Sequence, residues 1–150
     1  MAELDQIDET ILIALQRNAR ISNVDLADRA GLSPSACLRR VQALERSGVI
    51  SGYHAKLNPR ALGRDFVSYI SVGLSSQRKA AHEAFEAAVK DAPQVAECHN
   101  VTGSFEYLLR VEVADLDAYK EFHTQILGAL PDVASITSLV VMASPKDRFV

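Results

Sequence analysis

The stretch SPSACLRRVQALERSGVI, residues 33–50, determines the fold predicted for the first part of the chain. Ser33 can cap a helix, Pro34 suits a first helical turn, where no amide donor is needed, and Gly48 ends it. The apolar residues that share one helical face are Cys37, Val41 and Leu44, with Leu38 on its edge. The stretch therefore predicts a helix that buries one face against its neighbours.

Small residues and arginines make up the opposite face of this predicted helix. They are Ser35, Arg39, Gln42, Ala43 and Arg46, with Ala36 and Arg40 on the flank. Small residues permit close approach to a groove, and arginine can bind phosphate or the edge of guanine. We predict that Arg39, at the centre of this face, contacts a base edge. Arg40, Arg46 and Lys56 are predicted to contact phosphates, and Ser33 completes the predicted DNA-binding set.

Two shorter helices are predicted before this one. The first begins after the N-cap Asp5 and runs to about Asn18. Its inward residues are Leu4, Ile7, Ile11 and Leu15. The second begins at Ser22, which has the spacing of a capping box with Asp25, and ends at Gly31 in a left-handed conformation. Short helices joined by a tight glycine-containing turn form a helix-turn-helix.

Charge is distributed unevenly along the chain. The formal net charge of −3, taken alone, argues against a nucleic-acid-binding protein. Residues 1–28 carry a net charge of −4 and residues 65–150 a net charge of −5, whereas residues 29–64 carry +6. The basic segment includes the arginine-bearing helix, so the distribution favours a double-stranded DNA partner.

Two short stretches after this helix predict a domain boundary. ISGYHAKLN, residues 50–58, is predicted to form a short strand or wing, and NPRALGRD, residues 58–65, combines Pro, Gly and charge. We therefore expect a winged helix-turn-helix domain at 1–58, a linker at 59–65 and a second domain at 66–150.

The second domain alternates strand and helix patterns. The predicted strands are 66–74, 95–102, 107–113 and 133–142, and the predicted helices are 79–91 and 115–130. The inner stripe of the last helix is predicted as Tyr119, Phe122, Ile126 and Leu130. This order is βαββαβ, the ferredoxin-like arrangement, so the fold class is α+β. Its helices cover one face of the sheet, and the other face is free to meet another subunit.

Composition limits the class of protein. Hydrophobic residues make up 48% of the 150 residues and charged residues 23%, so a packed core is expected. No apolar run approaches the roughly 20 residues of a membrane span, and the acidic N-terminus does not resemble a secretion signal. We expect a cytoplasmic, nucleoid-associated protein with no membrane partner.

Cysteines and histidines form no recognisable site in the sequence. Cys37 and Cys98 lie far apart, and no further ligand has metal spacing. The histidines do not pair with an acid and a nucleophile. We therefore predict no catalytic residues, no metal and no cofactor.

Three stretches of the sequence resemble a known family, the Lrp/AsnC (leucine-responsive, feast/famine) transcriptional regulators. They are ILIALQRNARISNVDLADRAGLSPSACLRRVQALERSGVISGY, ECHNVTGSFEYLLRV and SLVVMASPK. The resemblance covers nearly the whole chain and implies a DNA-binding regulator that forms homodimers, often assembled as four dimers in a disc. It also implies an amino-acid effector, leucine-like or another small amino acid, bound where effector domains of neighbouring dimers meet.

The turn VTGSFEY is the candidate effector site. A plain β-hairpin also needs a glycine for positive φ, so the pattern alone leaves both interpretations open. Exposed amides beside Gly103 can cradle a carboxylate, and Glu106 can hold an α-ammonium group. The resemblance places in the effector site Thr102, Gly103, Ser104, Phe105, Glu106 and Tyr107, together with Thr137 and Ser138 on the last strand.

Two alternatives to an amino-acid-responsive regulator stay open, one of them because of departures from the family. The family often has Asp at both the 104 and 106 positions, where this chain has Ser104 and Glu106. One alternative is therefore an effector-independent architectural DNA-binding protein. Another is a small enzyme of amino-acid metabolism, because ferredoxin-like folds also host catalysts.

Overall fold

A computed structural model of the chain describes residues 4–146. The outermost residues of both predicted domains, 1–3 and 147–150, lie outside this range. The described residues form two compact units that divide between Lys56 and Leu57. Over residues 4–146, no helix has both the length and the apolar content of a membrane span.

The first unit consists of three helices, α1 (Gln6–Arg17), α2 (Asn23–Ala30) and α3 (Pro34–Arg46). The N-caps are the three predicted ones, since Asp5, Ser22 and Ser33 each accept a hydrogen bond from a backbone amide of the first turn. Gly31 ends α2 with φ 66°, the left-handed conformation predicted for it. Local capping chemistry therefore sets the helix boundaries.

One apolar cluster holds the three helices together. Its buried members are Ile11, Ala14, Leu26, Ala27, Cys37 and Leu44. Ile11 and Cys37 are completely inaccessible to solvent. Because Cys37 and Leu44 face inward from α3, the opposite face of this helix points to solvent.

The sequence predicts a short strand or wing at 50–58. Residues 51–58 are irregular, so the strand alternative is absent from the described structure. A strand needs a neighbour to pair with, and this segment pairs with none of the described strands. The tyrosine hydroxyl of Tyr53 instead donates to Glu45 Oε1 at 2.9 Å. In the predicted linker, Arg60–Leu62 form a short 3₁₀ helix.

The second unit has the predicted βαββαβ order. The elements are β1 (Phe66–Leu74), α4 (Lys79–Lys90), β2 (Val95–Asn100), β3 (Tyr107–Val113), α5 (Leu116–Phe122) and β4 (Val133–Val140). The strands form one antiparallel sheet in the order β2-β3-β1-β4. The fold is therefore the ferredoxin-like α+β arrangement.

The two faces of the sheet differ in burial. Ile70, Val72, Leu109 and Val111 are fully buried beneath the helices. On the other face, Tyr69 and Leu139 remain 39% and 61% exposed. Alternation along the strands produces this division, because successive side chains point to opposite faces.

The last helix departs from its predicted phase. After Phe122 the chain forms a π-helical turn, His123–Leu127, in which the Gly128 amide donates to the carbonyl of His123. A π turn inserts one residue into the helical repeat, so the inward position moves from Ile126 to Leu127. Leu127 is completely buried, whereas Ile126 is only partly buried.

This phase shift predicts different costs for two neighbouring truncations. Leu127→Ala should lower the free energy of unfolding of the second unit by about 2–5 kcal/mol, because it leaves a cavity in the core. Ile126→Ala, the matched control, should cost clearly less. Urea denaturation followed by circular dichroism measures both, and a larger decrease for Ile126→Ala would contradict the π-turn geometry.

Candidate functional site

The outer face of α3 presents the predicted DNA-contacting side chains to solvent. Ser35, Arg39, Gln42, Ala43 and Arg46 are all exposed, and Ala36 is partly buried on the flank. Ser33 is exposed and caps the helix through its hydroxyl, which accepts from the Ala36 amide at 3.2 Å. Lys56 is exposed beyond the helix. Within residues 4–146, Arg39 and Arg46 form no ion pair, so both guanidinium groups are available to an anion.

Arg40 occupies a different environment from the one predicted. Its Nη1 donates to Asp5 Oδ2 at 2.6 Å and to Asp8 Oδ1 at 3.0 Å. The same two acids form the capping box of α1, and the Asp8 residue is only 8% exposed. Arg40 therefore joins α3 to the start of α1. The sequence placed Arg40 on the flank of α3 but gave no sign of partners more than 30 residues away.

The carboxylate of Asp5 is held in its charged form at this junction. The Asp8 backbone amide and then the Arg40 guanidinium lower the pKa of Asp5. Because the folded-state pKa is depressed, the contribution of Asp5 to stability is complete above its ordinary pKa. It is lost as the pH falls through the lowered value. The junction is therefore intact at neutral pH.

The candidate effector turn joins β2 to β3 at one end of the sheet. Gly103 has φ 143°, a conformation that favours glycine. Two backbone hydrogen bonds flank the turn, from the Val101 amide to the Glu106 carbonyl at 2.9 Å and from the Glu106 amide to the Val72 carbonyl at 3.1 Å. Within residues 4–146, the backbone amides between these two bonds donate to no protein acceptor. They belong to Thr102, Gly103, Ser104 and Phe105. Such amides can donate to a carboxylate.

Glu106 is already engaged by protein groups. Its Oε2 accepts from the Leu74 amide at 2.6 Å, and its Oε1 accepts from Gln77 Nε2 at 2.8 Å. The Leu74 amide and then Gln77 lower the pKa of Glu106, so the side chain is a carboxylate at neutral pH. A ligand ammonium group must therefore share these oxygens or displace Gln77.

The structure separates the other predicted effector residues. Tyr107 is 1% exposed, and its hydroxyl donates to Glu86 Oε1 at 2.7 Å, which leaves only its backbone near the turn. Ser138 is opposite Ile70 on the helix-covered face and hydrogen-bonds the Tyr119 hydroxyl. Thr137 is exposed and points to the uncovered face. The two hydroxyls thus face opposite sides of β4.

Residues that the sequence did not single out complete the neighbourhood of Glu106. A Cβ on Gly73 would clash with the Ser135 hydroxyl and would lie 3.7 Å from Glu106 Oε2. Gly73 therefore leaves room for the Ser135 side chain beside the carboxylate. A glycine inside an alternating strand is a sequence signal for close approach, so Gly73 was recognisable. Gln77 and Ser135 carry no comparable signal.

Both units match profiles of known domains. Residues 67–150 match the Lrp/AsnC ligand binding domain, and residues 4–51 match a winged helix-turn-helix DNA-binding domain. The leucine-responsive regulatory protein of Salmonella typhimurium is 43% identical over 144 residues, which cover 96% of this chain and 88% of that protein. The protein of the same name from Escherichia coli K12 is 42% identical with the same coverage.

Solved structures with similar folds include two bacterial regulators. A transcriptional regulator from Neisseria meningitidis, solved as an L-Met complex, has a TM-score of 0.92 at 36% identity and covers 97% of this chain and 94% of its own. An AsnC family transcriptional regulator from Agrobacterium tumefaciens has a TM-score of 0.89 at 30% identity and covers 96% and 94%.

The fold and the two matched domains define a DNA-binding transcriptional regulator with a ligand-binding domain. Its exposed basic helix and its ligand-binding domain correspond to the two matched profiles. The chain belongs to the Lrp/AsnC family.

The Arg40 junction predicts an effect on stability and not on phosphate binding. Arg40→Ala should lower the urea midpoint of the helical unit, because Asp8 is left without its charged partner. The slope of the logarithm of the DNA-binding constant against the logarithm of the salt concentration should stay unchanged. Arg46→Ala, the control, should make that slope shallower by about 0.9, because one fewer phosphate is neutralised. A shallower slope for Arg40→Ala at an unchanged urea midpoint would show that Arg40 binds phosphate.

Proposed function

We propose that the protein regulates transcription in response to an amino acid, leucine-like or another small one. The observation that carries this proposal is the exposed arginine face of α3 on a chain whose second unit belongs to the ligand-binding domain family. In this proposal residues 1–58 bind DNA, residues 59–65 link, and residues 66–150 bind the effector and assemble.

In the proposed DNA-binding step, the basic side chains contact different parts of the duplex. Arg39, at the centre of the exposed face, contacts a base edge and supplies specificity. Arg46 and Lys56 contact phosphates and set the register. Because dimers of helix-turn-helix proteins bind two half-sites, the operator is expected to be a partial palindrome.

The effector step uses the β2–β3 turn. The exposed amides around Gly103 donate to the carboxylate of the amino acid, and Glu106 contacts its ammonium group. The Neisseria meningitidis relative, solved as an L-Met complex, supports an amino acid as the ligand class. The effector changes assembly only if it binds one arrangement of dimers more tightly than another.

Assembly is proposed to use the uncovered face of the sheet. Tyr69 and Leu139 expose apolar surface there, which favours a homodimer of effector domains. Four such dimers forming an octamer, with effector sites between neighbouring dimers, is the arrangement that the family resemblance implies. A cytoplasmic, nucleoid-associated location without a membrane partner follows from this function.

An effector-independent architectural protein is the second candidate. Both carboxylate oxygens of Glu106 already accept protein hydrogen bonds, which favours a turn that needs no ligand. Screening the twenty amino acids for a shift in melting temperature separates the two candidates, because a ligand that binds only the native state raises it. No shift with any amino acid would favour the architectural protein.

Replacing Arg39 tests the DNA-binding proposal. Arg39→Ala should weaken binding to a specific operator by about 1–3 kcal/mol, with a smaller effect on unrelated DNA, because the variant cannot bond a base edge. Fluorescence anisotropy with both duplexes measures this, and Arg17→Ala, on α1, serves as the control. Equal weakening on both duplexes would assign Arg39 to phosphate.

Changes in the turn test the effector proposal. Glu106→Ala removes the ammonium partner, and Gly103→Val places a β-branched residue at a φ that favours glycine. Both variants should lose the melting-temperature shift caused by the amino acid while they still bind DNA. Glu83→Ala, on the exposed side of α4, is the control. A normal ligand response in both turn variants would show that the site lies elsewhere.

A further inference from the structure

A groove on the second unit lies outside the effector turn. It runs between α4 and the edge strand β2 and has a volume of about 350 Å³. Its polar lining includes Glu86, Lys90, Glu97, Cys98 and Asn100, and its apolar lining includes Val89 and Val95. This volume lies within the range of small-molecule sites, about 300–1,000 Å³.

The groove exists because α4 leaves the edge of the sheet uncovered. Cys98 and Asn100 stand opposite Leu109 and Tyr107 in the β2–β3 register, so their side chains are on the helix-covered face. Leu109 and Tyr107 are buried, yet Cys98 and Asn100 are exposed. Helix α4 therefore covers β3 but stops short of covering β2.

A partly buried hydrogen-bond network orients Glu86, the carboxylate on α4. The Tyr107 hydroxyl donates to Glu86 Oε1 at 2.7 Å, so its oxygen accepts from His82 Nδ1 at 2.8 Å. Burial and the hydrogen bond to Glu86 raise the pKa of Tyr107 to about 12. The phenol thus remains a donor at neutral pH, and it holds one oxygen of Glu86 while the second has no partner within residues 4–146.

Lys90, the basic residue of the groove, lies one helical turn beyond Glu86 on α4. Glu86 and Lys90 have the i, i+4 spacing that commonly forms an ion pair on a helix. They form none, because Glu86 is turned toward Tyr107, and Lys90 has no ion-pair partner among the described residues. The groove therefore presents the carboxylates of Glu86 and Glu97 and the ammonium group of Lys90 above apolar side chains. Glu97 Oε2 lies 3.3 Å from His99 Nε2, and Glu86 is the carboxylate on the helix that carries Lys90, with one oxygen left for a ligand.

We propose that this groove binds a free α-amino acid at a second site, with Glu86 contacting the ammonium group and Lys90 the carboxylate. Val89 and Val95 contact the aliphatic part of the ligand. The site is complete within one chain. It shares with the effector turn only Tyr107, whose side chain faces away from that turn, and it needs no contact between dimers.

Cys98 supplies a direct reporter of this groove. It is exposed among the lining residues, whereas Cys37 is completely buried and does not compete for a thiol reagent. Partial burial and then the charge of Glu86 raise the pKa of the Cys98 thiol. Substitutions at Glu86 will therefore change its intrinsic reactivity, so each variant is compared with itself with and without amino acid.

The experiment measures the rate of maleimide labelling of Cys98 in the full chain against L-leucine and L-methionine concentration. Labelling should slow saturably, by roughly tenfold when the amino acid is at ten times its dissociation constant. Glu86→Gln and Lys90→Met should abolish the protection. Glu106→Ala should retain it, because the effector turn is a different site.

Three results would overturn the second site. The first is an unchanged labelling rate at saturating amino acid in the native protein. The second is equal loss of protection in Glu106→Ala and Glu86→Gln, which would mean that the signal comes from the effector turn. The third is protection that follows protein concentration and not amino acid concentration, which would mean that another copy of the chain covers the groove.

Discussion

Burial of one face of α3 is the constraint on which the DNA-binding half depends. Cys37 and Leu44 enter the core shared by the three helices, and this fixes the rotation of α3 about its axis. Arg39 points to solvent for that reason and not because of any contact of its own. The Arg40 bridge to Asp5 and Asp8 adds a polar constraint at the start of α1. A fixed helix allows a row of arginines to match the spacing of phosphates and bases.

A similar constraint shapes the effector half. Glu106 bonds the end of β1 through the Leu74 amide and the following loop through Gln77, so the turn is fastened to the sheet before any ligand arrives. Tyr107, the next residue, points the other way and bonds α4 through Glu86. Two successive side chains thus connect the candidate site to both neighbouring elements. A ligand that competes for Glu106 therefore also acts on the β1–α4 loop, through Gln77.

Local signals predicted most of the fold but only part of the candidate sites. Helix caps, strand alternation and the outward side chains of α3 depend on residues a few positions away. The π turn was not predictable, because its extra residue is favoured only by the packing of Leu127 into the core. No strand forms at 50–58, because this segment has no partner strand among the described residues. The partners of Arg40 and Glu106 likewise lie 29 or more residues away and left no pattern. Tyr107 could have been assigned to the core, because it alternates in phase with the buried residues of β3.

The salt dependence of DNA binding tests directly whether the outer face of α3 contacts duplex DNA. The affinity of the full chain for a promoter duplex is measured by anisotropy over a range of potassium chloride concentrations. Log affinity should fall linearly with log salt concentration, with a slope of about −0.9 for each phosphate contacted. Failure to bind any duplex at low salt, or an affinity that does not change with salt, would show that this face does not bind DNA.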